Sequence, residues 1–513
     1  MIEECKQQND QQRKGNILNI VSSIVTLVIT TAVSLILSPY IVKTMGVEAN
    51  GFVTLANNFI SYAMLAQVAL NSMGSRYIMM SYYKGEYEKA NKYYSSLFFG
   101  DLFLGVLFAI IAGFSIWQLE NILQISTYLI SDVKLLFLLL FANFIMNTII
   151  TVWSSAPYIK NRLYINSAIS VIMAIVKAIV TFLLFIVLKP SIWFVGMGVF
   201  ASGMVGFFCY FVAKKNLLPD FKVKKSCFSW SSTKELLSSG IWNAISSLGS
   251  ILLSGMDLLL ANLFLGPNAM GLLSLAKTMP SFVSTLNSTI ANVFVPSLII
   301  EYSQENKGEI IKTVKQSSKI IAMICSIPLA FLLVFGADFY KLWQPTENAQ
   351  MLHLLSCITI LGRCFFTGME PLFHVFTVVN KVRQNSIITV ITGCCSVFIT
   401  FLLLKFTNLG VFAIAGTSVV CCFIKNIFYV IPYSAKYLSL RRESFYYTLL
   451  PSVLCCVILS AFGIVLKLIV SCESWLNLII CAAIFAVVGM FFSGMVVLNK
   501  QDRKALIRLL RRR

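Results

Sequence analysis

Fourteen apolar runs joined by short polar connections dictate the fold class of this 513-residue chain. They cover roughly residues 17–42, 51–74, 95–116, 135–156, 164–187, 192–213, 236–265, 270–299, 320–336, 350–376, 386–405, 410–431, 448–470 and 476–498. A hydrocarbon core is crossed by about 20 apolar residues as a helix, because such a segment satisfies its own backbone N–H and C=O groups. Strands of a membrane barrel would alternate over about ten residues, and the run Ile17–Val42 does not alternate. Composition agrees: 58% of residues are hydrophobic and 12% charged, against about 25% charged in a soluble domain. An all-α polytopic membrane protein of about fourteen transmembrane helices is therefore expected. The first run is too long for a signal-peptide core and no small-residue cleavage site follows it, so it is expected to remain in the mature chain.

The formal net charge of +20 reads as topology rather than as a nucleic-acid footprint. Of the 41 Lys and Arg, 31 fall in the amino terminus, the even-numbered connections and the carboxy-terminal tail. Six fall in the odd-numbered connections or at the run ends that border them (Lys43, Lys134, Lys189, Lys341, Lys405, Lys467), and four lie deeper inside the runs. By the positive-inside rule this bias puts both termini in the cytoplasm. Fourteen cysteines do not form a disulfide framework. Most lie inside runs, such as Cys394, Cys395, Cys455 and Cys456, where a thiol packs as a small apolar group, and only Cys472 falls in an outer loop.

The connections are too short for a catalytic domain. The longest on the basic side is Lys214–Glu235 and the longest on the other is Trp117–Lys134. No phosphate loop, catalytic triad or metal-ligand cluster appears. No enzyme activity, catalytic residue, metal or cofactor is expected.

An internal repeat organises the chain. Gly46-Val-Glu-Ala-Asn-Gly51-Phe-Val-Thr-Leu-Ala-Asn57 is answered by Gly266-Pro-Asn-Ala-Met-Gly271-Leu-Leu-Ser-Leu-Ala-Lys277, at an offset of 220. Lys84-Gly85-Glu86 with Lys89 and Lys92 is answered by Lys307-Gly308-Glu309 with Lys312 and Lys315, at an offset of 223. Six runs separate the copies, so both halves share one orientation, and transporters built from such parallel repeats bind substrate between the halves. The expected organisation is a cytoplasmic segment at 1–16, a first six-helix lobe at 17–213, a basic linker at 214–235, and a second lobe at 236–431. A helix pair at 432–498 and a basic tail at 499–513 complete it. The tail places Leu506, Ile507, Leu509 and Leu510 at helical spacing, as expected of a helix lying on an anionic leaflet.

Six plus six plus two helices, no soluble domain and a G-x4-G turn after the first helix of each half resemble the Wzx-type polysaccharide flippases. These belong to the multidrug/oligosaccharidyl-lipid/polysaccharide (MOP) exporter superfamily. The stretch Asn19–Lys92 carries most of the likeness, with Ser38-Pro-Tyr-Ile-Val42, Gly51-Phe-Val-Thr-Leu and the basic loop from Tyr83 to Asn91. Asp257 before Leu-Leu-Leu is similar to the seventh helix of the family. The resemblance implies two lobes around a central cavity in the bacterial cytoplasmic membrane. It implies translocation of an undecaprenyl-diphosphate-linked oligosaccharide to the outer leaflet by alternating access, with membrane lipids, a glycan polymerase and other assembly proteins as partners. Alternatives are a cation-coupled multidrug exporter of the MATE type, a lipid II flippase or a membrane glycan polymerase. The lipid II branch carries arginines in its first helix, and Ile17–Val42 has none.

Ionisable side chains inside spans cost about 2.5–3.5 kcal/mol at the helix centre, so they face a cavity or a partner. Lys177, Lys277, Arg363 and Lys425 are candidates to grip an anionic headgroup, Arg bidentately and Lys as a point charge. Asp257 and Glu370 are candidates for ion pairing or ion coupling. Four cations against two carboxylates leave a formal +2. Arg363 and Glu370, seven residues apart, share a helical face and can equally form a closed pair. Gln67 and Asn71, one turn apart, are candidates for sugar hydroxyls or for helix–helix hydrogen bonds. His353 and His374 read as packed or interfacial residues.

Overall fold

A computed structural model describes residues 25–160, 162–303, 307–379 and 381–497. The amino-terminal segment 1–16, the start of the first span and the tail 499–513 lie outside the described residues. The chain divides into two compact units, Met1–Gly271 and Leu272–Arg513.

The first unit carries α1 (Val25–Met45), α2 (Val47–Asn71), α3 (Gly74–Tyr83), α4 (Tyr87–Trp117), the short α5 (Leu119–Ile122) and α6 (Ile130–Ile159). It continues with α7 (Leu163–Val187), α8 (Trp193–Leu217), α9 (Trp230–Ser250) and α10 (Asp257–Leu265). Close helix approach is set by small residues, as expected where lipid offers no hydrophobic drive. A Cβ on Gly198 of α8 would lie 2.9 Å from the Lys177 carbonyl of α7, and one on Gly206 would lie 2.7 Å from Met173 Sδ. The core toward the basic connections gathers Ile78, Tyr94, Val152, Phe221 and Leu236.

α11 (Pro267–Asn292) opens at the end of the first unit. The second unit adds α12 (Val295–Ser303), α13 (Lys307–Trp343), α14 (Ala349–Phe366), α15 (Glu370–Val378), α16 (Val382–Phe406), α17 (Val411–Lys425), α18 (Ile431–Tyr437), α19 (Leu449–Ile469) and α20 (Trp475–Val497). The final pair packs on α13, where Ile327, Phe335, Leu459 and Phe485 form one cluster. A second cluster gathers Val314, Phe366, Phe376 and Val430.

Among the described residues, thirteen helices are long and apolar enough to cross a membrane. The remaining expected span is α11. It is 26 residues long, but Asn, Ser, Thr and Lys277 along it dilute its apolar character. The repeat is legible in the backbone. Gly46 (φ 87°, ψ 165°) and Gly266 (φ 91°, ψ 172°) adopt the same left-handed conformation, which favours glycine. Each is followed by a helix of 25 or 26 residues that breaks, after Asn71 and after Asn292, and restarts at Gly74 and Val295.

Candidate functional site

The candidate residues fall into separate groups, fixed by helix ends and helix breaks. In the first unit, the second glycine of each repeat motif permits an approach of backbone to backbone. A Cβ on Gly51 would stand 2.9 Å from Gly271 Cα and 3.0 Å from Gly271 N, and one on Gly271 would collide with the Val47 carbonyl. The connection Gln118–Ser126 straps this region. Glu48 accepts hydrogen bonds from Ser126 N (2.9 Å) and Ser126 Oγ (2.6 Å). Two residues earlier in the strap, Gln124 N donates to Asn262 Oδ1 at 3.0 Å, and Asn262 Nδ2 returns a bond to the Gln124 carbonyl at 3.0 Å.

Asp257 is 5% exposed and opens α10 one residue beyond a π-turn at Ile251–Gly255. Such π-turns leave backbone groups outside the regular helical ladder and recur at functional sites. Here α2 answers the loosened carbonyl: Asn58 Nδ2 (3.2 Å) and Tyr62 Oη (2.8 Å) both donate to Gly255 O. Asp257 acts electrostatically on Tyr62 and has a further interaction of its own.

The remaining polar residues of α2 reach neighbouring helices. Gln67 Nε2 donates to Thr151 Oγ1 of α6 at 2.9 Å, and Asn71 Nδ2 donates to Asp101 Oδ1 of α4 at 2.7 Å. Asn57 donates to its own helix at Val53 O, 2.7 Å away. Lys177 sits midway along α7, half-buried, with no hydrogen-bond or ion-pair partner among the described residues.

In the second unit, Arg363, Glu370 and Lys425 come together at two helix breaks. α14 ends at Phe366, a 3-10 turn spans Thr367–Met369, and Glu370 begins α15 with Pro371 behind it. The missing N–H of Pro371 suits a first helical turn and not a helix interior. Gly368 lets the turn dock on α19, its N–H donating to Ser452 Oγ at 2.8 Å. Lys425 immediately precedes a second π-turn, Asn426–Val430, and its Nζ stands 5.8 Å from the Phe373 ring centroid. Asn287 Nδ2 donates to Glu370 Oε2 at 3.3 Å. Both Arg363 and Lys425 act electrostatically on Glu370, yet neither closes a direct ion pair with it among the described residues. Lys277 is half-buried on α11 and has an interaction of its own. His353 packs beside Cys357, with its ring 3.5 Å from Sγ.

Sequence reasoning missed Asp101. It lies in the apolar run Phe98-Phe-Gly-Asp-Leu-Phe-Leu, is fully buried, and adds a third carboxylate to Asp257 and Glu370 against the four candidate cations. A lone acid in such a run was the available signal. Two cavities occur within the first unit and lie away from most of these side chains. One of about 510 Å³ is lined by Glu120–Ser126, Leu263 and Pro267; another of about 540 Å³ is lined by Arg162, Ile169, Phe208 and Val212.

A family model described as "Polysaccharide biosynthesis protein" matches residues 17–299. The chain is 25% identical over 498 residues to "Uncharacterized membrane protein EpsK" of Bacillus subtilis (strain 168), covering 96% of this chain and 98% of that one. Its fold is similar to an inward-facing multidrug resistance MATE family transporter of the MOP superfamily (TM-score 0.60, 14% identity, 83% of this chain and 98% of that chain). It is also similar to lipid II flippase MurJ in an inward closed conformation (TM-score 0.59, 13% identity, 94% of this chain and 100% of that chain).

Proposed function

The chain belongs to the polysaccharide biosynthesis protein family, as a Wzx-type member of the MOP superfamily, and on that premise we propose that it flips an undecaprenyl-diphosphate-linked oligosaccharide across the bacterial cytoplasmic membrane. Family and fold are those of a flippase or transporter. The glycan is a repeat unit of a capsule, O-antigen, exopolysaccharide or teichoic-type polymer, carried from the inner to the outer leaflet by alternating access. Both termini lie in the cytoplasm. A polymerase and other assembly proteins receive the product.

One observation carries this reading. Arg363 and Lys425 converge on Glu370 at two helix breaks without closing an ion pair. A guanidinium and an ammonium held near one carboxylate keep hydrogen-bond donors for an incoming diphosphate. Lys177, half-buried without a partner among the described residues, adds a further cation in the first unit, with Lys277 on α11. The test is deletion of the gene in a strain without a second exporter of this type. Undecaprenyl-linked oligosaccharide then accumulates on the inner leaflet, and complementation by the wild type but not by Arg363→Ala restores export. Normal export in the deletion strain overturns the assignment.

The fold likeness to MATE exporters supports a second reading, cation-coupled drug export. It is separated by efflux of cationic dyes from cells expressing the chain, which the flippase reading expects to be at background.

A further inference from the structure

Asp101 is the fifteenth residue of the 31-residue helix α4 and has 0% exposure. Its Oδ1 accepts from Asn71 Nδ2 at 2.7 Å; its Oδ2 is buried with no partner, and so is Asn71 Oδ1. The second proton of Asn71 Nδ2 is directed to Gln67 O at 3.2 Å. Turning the amide over does not help, because it would set an oxygen against the Gln67 carbonyl. Two residues joined by one hydrogen bond thus each keep a buried acceptor without a donor among the described residues, an arrangement that is uncommon in native interiors and calls for a cause.

We propose that the Asp101–Asn71 pair is a proton-binding site of the first unit, Asp101 Oδ2 taking one proton and donating it to Asn71 Oδ1. Carboxylic acid and amide then meet edge to edge through two hydrogen bonds, and both orphaned acceptors are satisfied by one proton. Loss of that proton leaves a carboxylate facing an amide oxygen and the carbonyl end of α2, which carries partial negative charge.

The charged surroundings do not supply a substitute. Glu48 lies at the opposite end of α2 from Asn71, and Asp132 and Lys134 lie in the first turns of α6. Arg76 and Tyr77 on α3, and Lys234 and Glu235 on α9, belong to the basic end, where Tyr93 Oη donates to Glu235 Oε2 at 2.7 Å. Asn71 is the side chain that acts on Asp101 among the described residues.

The position gives the proton something to move. Asn71 is the last residue of α2, and the chain breaks there before α3 resumes at Gly74. α9 crosses at the break: a Cβ on Gly240 would meet the Ala69 carbonyl and lie 2.7 Å from Ser72 Oγ. The same α9 runs into the π-turn before Asp257. Deprotonation therefore loosens a break already present in the span. In the second repeat the position at an offset of 223 is Ile324, so the site belongs to one half alone.

The coupling role rests on the transport reading above; the proton site does not, and the test keeps them apart. Full-length protein in nanodiscs is examined by infrared spectroscopy across neutral pH, alongside glycan translocation in membrane vesicles at a series of pH values. The expected result is a protonated-carboxyl band that shifts in deuterated water, is lost in Asp101→Asn and moves in Asn71→Ala. Translocation in Asp101→Asn is expected to lose its pH dependence. A band unchanged in Asp101→Asn overturns the site, as does thermal stabilisation by sodium over choline chloride that Asp101→Asn abolishes, which would make it a metal-cation site. Absence of glycan translocation in the wild type, with the band behaving as expected, overturns only the transport reading. Should Asp101→Asn not fold, the wild-type and Asn71→Ala spectra decide.

Discussion

Substituting Gly51 by Ala tests whether the repeat motif exists to bring two backbones together. The added Cβ would stand 2.9 Å from Gly271 Cα and 3.0 Å from Gly271 N. Carbon atoms pack at about 3.5–4.0 Å, so the first turns of α2 and α11 must separate by roughly 0.6–1.1 Å, since main chain cannot swing aside as a side chain can. Overpacking of this kind costs about 1–3 kcal/mol. Ala also gains about 1 kcal/mol of helix propensity over Gly, which would mask part of the loss. Gly113→Ala supplies the control. Gly113 lies inside α4 and a Cβ there meets nothing within 4 Å, so it collects the propensity gain with no clash. The difference between the two variants isolates the clash at about 1–3 kcal/mol. Denaturant titration of the purified full chain measures it. Gly271→Ala is expected to act in the same direction, and the double variant is expected to lose less than the sum, because both probe one contact. A Gly51→Ala protein as stable as Gly113→Ala would refute the reasoning.

Three further outcomes follow from the same geometry. Arg363→Ala and Lys425→Ala are each expected to lower glycan translocation by roughly 10- to 150-fold, the worth of about 1.5–3 kcal/mol for a hydrogen bond to a charged group; expression should be intact, and vesicle flux is the measurement. Tyr62→Phe is expected to cost about 0.6 kcal/mol, the average for an interhelical side-chain bond in a membrane. Combined with Asn58→Leu it leaves Gly255 O without donors, and hydrogen exchange across 251–257 should accelerate. Burial pushes the thiol of Cys472, in the connection between α19 and α20, up to about 11, with Cys481 Sγ 3.5 Å away as a secondary cause. At pH 8 only about one thiol in a thousand is then thiolate, so maleimide labelling at Cys472 is expected to rise about tenfold per pH unit toward 11.

Spans and repeat were legible because each has a physical period. Apolar length places the helices, including the more polar run at 270–299 that becomes α11, and the offset of 220 agrees with that placement. Gly46 and Gly266 were found as letters and turn out to be the same backbone conformation. The breaks were not legible to the same degree. Seven-residue spacing puts Arg363 and Glu370 on one helical face, whereas a 3-10 turn at Thr367–Met369 interrupts the helix between them, and Pro371 just beyond it is the sign the sequence offers. Nothing in Ile251–Gly255 or Asn426–Val430 marks a π-turn, since neither holds a proline, and their register depends on what packs against them. Asn71 was read as a candidate for sugar or for a neighbouring helix, and its partner is an acid thirty residues away in sequence.

The strap at Gln118–Ser126 is encoded within the first copy, yet it fastens Glu48 of that copy's turn and also Asn262, just ahead of the second copy's turn. One connection thus holds both turns, so a circular permutant opened within 118–126 is expected to free both fastenings at once, whereas one opened at another loop keeps them.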